Sequence, residues 1–526
     1  MVVKAKMVLT AIMGICVLVN GCKADSGSEM KPLSIQSEPA APTGKPIVLL
    51  IIDSLMDKPL RKAIEEGHAS ALQYLINNGK YEPNMISSFP TMSVTIDSTL
   101  LTGVYADKHH VPGLVWFDNK EKRMILYGNG AKEALKIDQP QVFIDAIYQL
   151  NQVQLNKQTK TIHEELADMG KESASINGVI FRGNTEHTLR LPQWIAKSSG
   201  LPDQTKVTGP KWLSYATLAQ QDPAHNPNTR PWKKFGMNDD FSAQEMVYLI
   251  KQNQLPKFTL LYFPSNDNSV HRKGPDELRG IENADRALQT VFSAYGTWEK
   301  ALKDVIWIVM GDSGQSYVYD DREESVIDLR TLLKYRIAPL NKTVSAEDQI
   351  VITANERMAY IYAIDDKVAL TEVMAQLKQE GRLDILAMND GENVRVMQGN
   401  SEKMISYAPG GPYSDEFGQT WTLSGDLEVL DITVTDNRIQ YGRYPDVLAR
   451  LYGGMHSHEG RYVVVTVQPG YELVGESSPT HVGGGAHGSL HELDSLVPLI
   501  ISGTDTEPRT RRIVDLKEWV LKLANG

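Results

Sequence analysis

The sequence predicts an α/β fold in which a mostly parallel central sheet carries helices on both faces. Continuous apolar runs of strand length recur along the chain, beginning with PIVLLII at residues 46–52 and followed by FTLLYF at 258–263. Such runs are typical of strands that are buried on both faces of a parallel sheet. Helix-like segments such as LRKAIEEGHASALQYLINNG stand between them, and this alternation indicates an α/β architecture.

Further apolar runs extend the predicted sheet toward the C-terminus. They are DVIWIVM at 304–310, RYVVVTV at 461–467 and VPLIIS at 497–502. We therefore assign residues 46–330 and 460–526 to one large domain. Residues 198–240 are rich in Pro, Asn and Asp, and they predict long loops over one edge of the sheet.

The segment 331–459 predicts a smaller inserted α+β lobe. Within it, MAYIYAI and VRVMQ have the composition of strands, and VALTEVMAQLKQEG has the pattern of a helix. ITVTDNRIQY predicts a hairpin that turns at Asp436 and Asn437, because both residue types tolerate the left-handed conformation of a tight turn. The lobe interrupts the large domain.

The N-terminus has the pattern of an export signal. Residues 1–22 begin with basic Lys4 and Lys6, continue with an apolar run too short to span a membrane comfortably, and end in VNGC. The VNGC ending resembles a bacterial lipobox. This resemblance implies that residues 1–21 are removed, that Cys22 is acylated, and that the protein is exported and lipid-anchored at the bacterial cell surface or envelope. A plain signal peptide cleaved nearby is the alternative. The composition of residues 22–45 predicts a flexible tether.

Composition excludes several classes of protein. The 526 residues include 65 Asp and Glu against 54 Lys and Arg, a net charge of −11, so no nucleic-acid-binding face is expected. At 41% hydrophobic residues the chain is an ordinary globular protein with a sizeable core. Both cysteines, Cys16 and Cys22, lie in the export signal, so the body of the protein forms neither an internal disulfide nor a cysteine-based metal site.

Three acidic residues follow predicted strands: Asp53, Asp267 and Asp312. Each alone is an ordinary strand-end residue. Ligands of open α/β sheets bind beyond the carboxyl ends of the strands, however, and converging carboxylates repel each other unless a cation lies among them. His271 follows Asp267 by four residues, and His487 lies in the glycine-rich segment HVGGGAHGSL. The sequence thus predicts a metal site built from Asp and His side chains.

Two segments carry a resemblance to a known family. FPTMSVTIDSTLLTGVYADKHHVPG at 89–113 resembles the nucleophile region of the type I phosphodiesterase/nucleotide pyrophosphatase family of the alkaline phosphatase superfamily. DNSVHRKGP at 267–275 matches the Asp-x-x-x-His-x-x-Gly-Pro pattern of that family. The resemblance implies an alkaline-phosphatase-like fold over residues 46–330 and 460–505. It also implies a metal-dependent hydrolase of phosphoric esters, acting on a small phosphorylated substrate.

The resemblance also implies roles for single residues. Ser93, rather than Thr91, matches the nucleophile that forms a covalent phosphoryl intermediate. Two divalent cations are implied, and their matching ligands are Asp267, His271 and His487 for one, and Asp53, Ser93 and Asp312 for the other, with Ser313 beside them. Zn²⁺ suits the first set, and Mg²⁺ or Mn²⁺, or again Zn²⁺, suits the second set, in which oxygen donors dominate.

Two departures from the family pattern leave alternatives open. Ser313 stands where the family has a metal-binding histidine, unless a distant histidine such as His187 or His491 fills that position. Leu114 stands where the family has an asparagine that contacts the phosphoryl group. A catalytically weakened surface lipoprotein that binds a phosphorylated or glycan ligand is therefore the alternative function.

Two short motifs suggest a serine hydrolase instead. GDSG at 311–314 also resembles the nucleophile motif of chymotrypsin-type proteases, which would make Ser313 catalytic on an all-β scaffold. IDSL at 52–55 is similar to the motif of GDSL-type lipases but has Ile52 in place of its glycine. The predicted alternation of strands and helices disfavours the protease.

Overall fold

A computed structural model of the chain describes residues 44–128, 140–193, 196–197, 200–340 and 344–525. Seven strands of this described part form a central sheet, in which Leu496–Ser502 runs antiparallel to its neighbours and the other strands share one direction. The predicted α/β class with a mostly parallel sheet is confirmed. In sheet order the strands are Gly79–Ile86, Leu496–Ser502, Ile306–Met310, Ile47–Ile52, Phe258–Phe263, Ser173–Ile176 and Trp212–Ser214.

The central strand Ile47–Ile52 explains why its sequence is apolar throughout. All six residues are buried, and alternate side chains point to opposite faces of the sheet. Ile47, Leu49 and Ile51 enter one hydrophobic cluster, and the residues between them enter a second cluster on the other face. Helices cover both clusters, so neither face of this central strand meets water.

The helices alternate with the strands along most of the chain. The α-helices are Asp57–Glu65, Ser70–Asn77, Ser93–Thr102, Ala106–His109, Pro140–Ile144, Ile162–Asp168, Asp239–Lys251, Ser265–Lys273, Arg279–Ser293, Trp298–Asp304, Arg322–Ser325, Leu329–Leu332, Leu370–Leu377, Val447–Met455, Glu492–Ser495 and Leu516–Asn525. A π-helix spans Asp145–Gln154, and 3₁₀ turns span Ala216–Leu218, Pro227–Thr229, Pro231–Gly236, Leu427–Leu430 and Ile513–Asp515.

A second, mixed sheet forms the lobe. It contains Ile350–Asn355, Met358–Ala363, Tyr462–Val467, Leu383–Asp390, Asn393–Met397, Met404–Ser414, Thr420–Gly425, Arg438–Tyr441 and Ile432–Thr435. The strands predicted at MAYIYAI and VRVMQ, the helix Leu370–Leu377 and the hairpin at Asp436 and Asn437 are all present. Both turn residues have positive φ, 51° and 62°, as a tight hairpin turn requires.

Two expectations about the sheets require correction. RYVVVTV lies in the lobe sheet, between Met358–Ala363 and Leu383–Asp390, rather than in the central sheet. Its apolar sequence reflects burial on both faces there, which the sequence pattern cannot distinguish from burial in the central sheet. The lobe sheet therefore extends past residue 459. The described residues form one compact unit that holds both sheets.

The segment 198–240 contains more regular structure than the predicted loops. It supplies the strand Gln204–Gly209 and the edge strand Trp212–Ser214 of the central sheet. Three of its Pro and Asn residues, Pro227, Asn228 and Pro231, lie in the short 3₁₀ turns that follow. The remaining paired strands are Val115–Asp118 with Arg123–Leu126, Thr185–Arg190 with Gln204–Gly209, Ser316–Tyr317 with Gly485–Ala486, and Val326–Asp328 with Glu472–Val474.

The predicted export signal, Cys22 and nearly all of the tether lie outside the described residues. Within the described ranges, no helix has the length and hydropathy to cross a bilayer.

Candidate active site

The carboxyl edge of the central sheet brings the predicted acidic residues together. Asp53 follows the strand Ile47–Ile52, and Asp312 lies two residues after the neighbouring parallel strand Ile306–Met310. Asp267 lies in the first turn of a helix that begins just after the strand Phe258–Phe263 on the other side. Parallel neighbours end at the same edge, so the three carboxylates converge where α/β sheets bind ligands.

Asp53 and Asp312 form an acidic pair that we call the second centre. The hydroxyl of Tyr262 donates to Oδ2 of Asp53 at 2.7 Å and lies 3.5 Å from Oδ2 of Asp312. Oδ1 of Asp312 accepts the backbone N–H groups of Ser54 and Ser313, each at 2.8 Å. Sequence reasoning missed Tyr262, because a tyrosine inside the run FTLLYF looks like an ordinary core residue.

The second centre has an excess of negative charge. Burial raises the pKa of Asp53 well above its ordinary value, and the charges of Asp312 and Asp267 raise it further. Burial likewise raises the pKa of Asp312. Carboxyl groups this crowded and buried favour either a proton or a cation among them. The surroundings of this pair are therefore suited to a hard divalent cation.

Asp97 adds a third buried carboxyl that the sequence did not single out. It lies one helical turn after Ser93 in the helix Ser93–Thr102, and among the described residues neither of its oxygens has a hydrogen-bond partner of good geometry. Burial raises its pKa well above the ordinary value, and the charge of Asp312 raises it further, while the nearby backbone N–H of Val179 acts weakly in the opposite direction. Asp97 thus deepens the negative potential behind the second centre.

Asp267, His271 and His487 form a compact group that we call the first centre. One donor atom from each residue lies within 4.8 Å of the others. Nε2 of His271 lies 3.0 Å from Oδ1 of Asp267, because residues four apart face each other on the helix Ser265–Lys273. Nε2 of His487 approaches the same oxygen to 3.8 Å from the glycine-rich loop.

Backbone carbonyl groups orient both imidazoles of the first centre. Nδ1 of His271 contacts the carbonyl oxygen of Gly485 at 2.8 Å, and Nδ1 of His487 contacts that of Thr91. An Nδ1–H that donates to a carbonyl leaves the Nε2 lone pair free for a ligand, which is the usual arrangement of metal-binding histidines. The glycine-rich loop permits this approach, since a Cβ on Gly484 would lie 2.0 Å from the carbonyl oxygen of His271.

Ser54 connects the two centres. Its hydroxyl donates to Oδ1 of Asp267 at 3.0 Å and lies 3.4 Å from the hydroxyl of Ser313, while its backbone N–H binds Asp312. The amide of Gln315 donates to both Ser54 and Asp267 at 2.8 Å. These two residues fix the distance between the centres. Sequence reasoning missed them, because a serine and a glutamine beside strand ends carry no distinctive signal.

Ser93 and Thr91 occupy different environments. Ser93 is the first residue of the helix Ser93–Thr102 and is half-buried. Thr91 is fully buried; its hydroxyl accepts the backbone N–H of Gly488 at 2.7 Å and donates to the carbonyl of Ser489 at 3.5 Å. The Thr91 hydroxyl is therefore engaged in holding the loop that carries His487.

The structure shows the surroundings of Ser313 and Leu114, the two residues that depart from the family pattern, and of the two distant histidines. Ser313 is fully buried, and Leu114 packs against one of the sheet's hydrophobic clusters. His187 contacts the carbonyl of Pro210 at 2.6 Å in a remote hairpin, and His491 caps the helix Glu492–Ser495. The buried position of Ser313 on an α/β sheet contradicts the protease interpretation of GDSG.

Two residues of the lobe and its surroundings also reach the first centre. Glu356 is buried at the tip of the hairpin formed by Ile350–Asn355 and Met358–Ala363. His481 stacks on His271 with ring centroids 4.3 Å apart. Neither was predicted, because Glu356 lies 85 residues beyond His271 in a different sheet and His481 was one of many unassigned histidines.

Charges at the first centre are balanced, in contrast to those at the second. Burial lowers the pKa of His271, but the charges of Asp267 and Glu356 outweigh burial and raise it to about 10. Burial raises the pKa of Glu356, yet the charges of His271, His487 and His481 lower it below its ordinary value. The same balance lowers the pKa of Asp267. Nitrogen and carboxylate donors together suit Zn²⁺.

One family of known proteins matches most of this chain. The family model described as type I phosphodiesterase/nucleotide pyrophosphatase matches residues 47–490. No curated protein matches the chain significantly.

Two similar solved structures belong to ectonucleotide pyrophosphatase/phosphodiesterase 5. One is an inactive variant of the murine protein in complex with AMP, and the other is the human protein. Each is 13% identical, with a TM-score of 0.54, over 91% of this chain and 95% of the other. At that identity the likeness shows the fold, which confirms the alkaline-phosphatase-like architecture.

The family match extends from the first strand of the central sheet to the segment just beyond His487, and so includes both centres and the lobe. Members of this family are generally metal-dependent, and the described residues contain groups that can hold metal ions. The chain belongs to the type I phosphodiesterase/nucleotide pyrophosphatase family, and it is a hydrolase that acts on phosphoric ester bonds.

Proposed function

We propose that this chain hydrolyses the ester of a small phosphorylated molecule by nucleophilic attack of Ser93, with divalent cations at both centres. The observation that carries the proposal is the junction made by Ser54. Its hydroxyl binds Asp267 of the first centre at 3.0 Å, and its backbone N–H binds Asp312 of the second centre at 2.8 Å. Two adjacent ligand groups of this kind suit an in-line displacement at phosphorus.

In the proposed reaction, Oγ of Ser93 forms a bond to phosphorus while the bond from phosphorus to the leaving oxygen breaks. The Ser93 hydroxyl loses its proton as this bond forms, and the leaving group departs with the electron pair of its bond to phosphorus and takes up one proton in turn. Water then attacks the phosphoseryl group, the bond to Oγ breaks, and the serine hydroxyl regains its proton. Bound divalent cations supply charge stabilisation for the serine alkoxide and for the leaving oxygen.

The position of Ser93 at a helix N-terminus supports its proposed role. The first backbone N–H groups of the helix Ser93–Thr102 lack partners within the helix, and such groups favour an anionic phosphoryl ligand. The hydroxyl of Thr91 is fully buried and already bonded to the glycine-rich loop. Ser93 is therefore the better candidate for attack.

We propose a nucleotide-like phosphate as the substrate class, because a murine relative of the same fold is known in complex with AMP. Family membership favours catalysis over the alternative of a protein that only binds a phosphorylated or glycan ligand. We assign Zn²⁺ to the first centre and Mg²⁺ or Mn²⁺ to the second, because a serine hydroxyl at position 313 is a poorer donor to Zn²⁺ than imidazole nitrogen.

Metal removal tests this proposal. Exhaustive treatment with a chelator is expected to abolish hydrolysis of a chromogenic phosphodiester and of the matching monoester. Zn²⁺ alone is expected to restore part of the activity, and Zn²⁺ together with Mg²⁺ or Mn²⁺ the remainder, because the two centres differ in their donors. Hydrolysis that survives complete removal of metal would refute the proposal, and so would a fully metal-loaded protein that hydrolyses neither ester.

The substitution Ser313→His examines the assignment of the second centre. If the ring fits, restoring the imidazole of the family is expected to raise tightly held Zn²⁺ toward two ions per chain and to reduce the requirement for Mg²⁺ or Mn²⁺. Ser325→His, at another fully buried serine outside both centres, is the control for a buried imidazole elsewhere. Two Zn²⁺ ions that survive dialysis of the unmodified protein would contradict the assignment of a weak second centre.

We also propose that the protein is exported and held at the bacterial cell surface or envelope through an acylated Cys22. The basic start, the short apolar run and the VNGC ending support this proposal. Cys22→Ser is expected to move the protein from the membrane fraction to the soluble fraction and to abolish incorporation of labelled lipid, whereas Cys16→Ser leaves both unchanged. Continued lipid labelling of the Cys22→Ser variant would disprove the anchor.

A further inference from the structure

The tip of a lobe hairpin, residues 355–357, is fixed against the central domain. The side chain of Asn355 accepts the backbone N–H of Val115 at 2.9 Å and donates to its carbonyl at 2.8 Å. Arg357 is fully buried, forms an ion pair with Asp494, and donates to the carbonyl of Val467 at 3.0 Å. Glu356 lies between these two anchors, so its position relative to the first centre is well defined.

The carboxylate of Glu356 spans both imidazoles of the first centre. Its Oε1 lies 3.8 Å from Nε2 of His271, and its Oε2 lies 3.9 Å from Nε2 of His487. Oε2 also accepts the backbone N–H of His487 at 3.1 Å. The side chain is only 5% exposed, and its backbone has a positive φ of 57°, which a glutamate adopts at a cost.

These distances resemble those made by Asp267. Asp267 approaches the same two nitrogen atoms to 3.0 and 3.8 Å. Four donors around a tetrahedral Zn²⁺ with bonds of about 2.0–2.1 Å lie roughly 3.3 Å from one another. Asp267 makes both approaches with Oδ1, whereas Glu356 directs a different oxygen toward each imidazole, so its carboxylate faces the space between the two rings.

Further possible metal donors lie beside Glu356 and His271. One donor atom each from His271, Glu356 and His481 forms a second group within 4.8 Å. Nδ1 of His481 contacts the fully buried carboxylate of Glu472 at 3.1 Å, an arrangement that leaves Nε2 available on the side of His271. A cation held by His271 thus has nitrogen and carboxylate donors on this side as well.

We propose that Glu356 is a fourth protein ligand of the cation at the first centre, supplied by the inserted lobe. The three-residue set of Asp267, His271 and His487 leaves one position of a four-coordinate ion open for a phosphoryl oxygen, and Glu356 adds a further protein donor, as in catalytic zinc sites that expand to five ligands. The lobe then contributes directly to metal affinity. This inference rests on the proposed function, since it requires a cation at the first centre.

Zn²⁺ affinity measured by competition with a chromophoric chelator tests the inference without use of activity. Glu356→Gln and Glu356→Ala are expected to weaken Zn²⁺ binding at the first centre at least about tenfold, comparable with the loss of other groups that support a bound metal. Glu356→Asp keeps the charge but withdraws the carboxylate by one methylene. The same loss in Glu356→Asp distinguishes ligation from a merely electrostatic effect.

Controls separate the possible results. Glu392→Gln removes an exposed carboxylate elsewhere on the lobe and is expected to leave the affinity unchanged, and thermal unfolding of the metal-free variants identifies any that fail to fold. If the unmodified protein binds no Zn²⁺, the proposed function fails together with the inference. A second result overturns only the role of Glu356. In that result the unmodified protein binds Zn²⁺ and Asp267→Asn loses it, but the Zn²⁺ affinity of folded Glu356→Ala or Glu356→Asp stays within twofold of that of the unmodified protein.

Discussion

Ser93→Ala is expected to lower turnover at least about 10³-fold while both cations remain bound. The substitution removes one hydroxyl at the start of the helix Ser93–Thr102, whereas the carboxylates and imidazoles of both centres stay in place. Steady-state kinetics with a chromogenic phosphodiester measures the loss, and metal analysis of the same preparation measures the retained cations. A large kinetic effect with unchanged metal content is the signature of a lost nucleophile.

Ser98→Ala is the matched control for this experiment. Ser98 lies in the same helix and is buried, and its hydroxyl binds the carbonyl of Val94 within that helix at 2.7 Å. Turnover of Ser98→Ala is expected to remain within a few-fold of the unmodified protein. If Ser93→Ala also stays within a few-fold, Ser93 is not the nucleophile, and Thr91 becomes the residue to examine.

Asp267→Asn is expected to remove the cation of the first centre and to lower kcat/KM at least about 100-fold. Oδ1 of Asp267 lies against His271, Ser54 and Gln315, so the substitution removes the negative charge that these three groups contact directly. In the metal-free protein the pKa of His271, raised to about 10 largely by Asp267, is expected to fall. Metal analysis and NMR titration of His271 measure the two effects separately.

Asp276→Asn serves as the control for Asp267→Asn. Asp276 lies nine residues further along the chain, is 70% exposed, and forms a surface ion pair with Lys58 at 3.1 Å. Surface pairs of this kind contribute little, so metal content and activity are expected to be unchanged. Retention of full Zn²⁺ occupancy by Asp267→Asn would contradict the ligand assignment of the first centre.

The sequence predicted those parts of the fold that depend on local pattern. The strand Ile47–Ile52 is apolar because both of its faces are covered, and a continuous apolar run of this length predicts such a strand. The turn at Asp436 and Asn437 was predictable because these residue types tolerate positive φ. The assignment of RYVVVTV to the central sheet was wrong, since a fully buried strand has the same composition in either sheet.

In the candidate site, too, the predictable features are those that depend on local sequence. Asp267 and His271 were predictable as a pair because four residues along a helix bring side chains onto one face. Glu356 was not, because its approach depends on how the lobe packs against the glycine-rich loop. Ser54 and Tyr262 were missed for a related reason, since their functional contacts involve partners more than 200 residues away.

The stereochemical course of hydrolysis tests the covalent mechanism most directly. A phosphodiester made chiral at phosphorus by sulfur substitution is hydrolysed in ¹⁸O-labelled water, and the configuration of the product is determined. Attack by Ser93 followed by attack of water inverts phosphorus twice, so the expected result is net retention of configuration. Net inversion would show that water attacks the substrate directly, and it would contradict a phosphoseryl intermediate on Ser93.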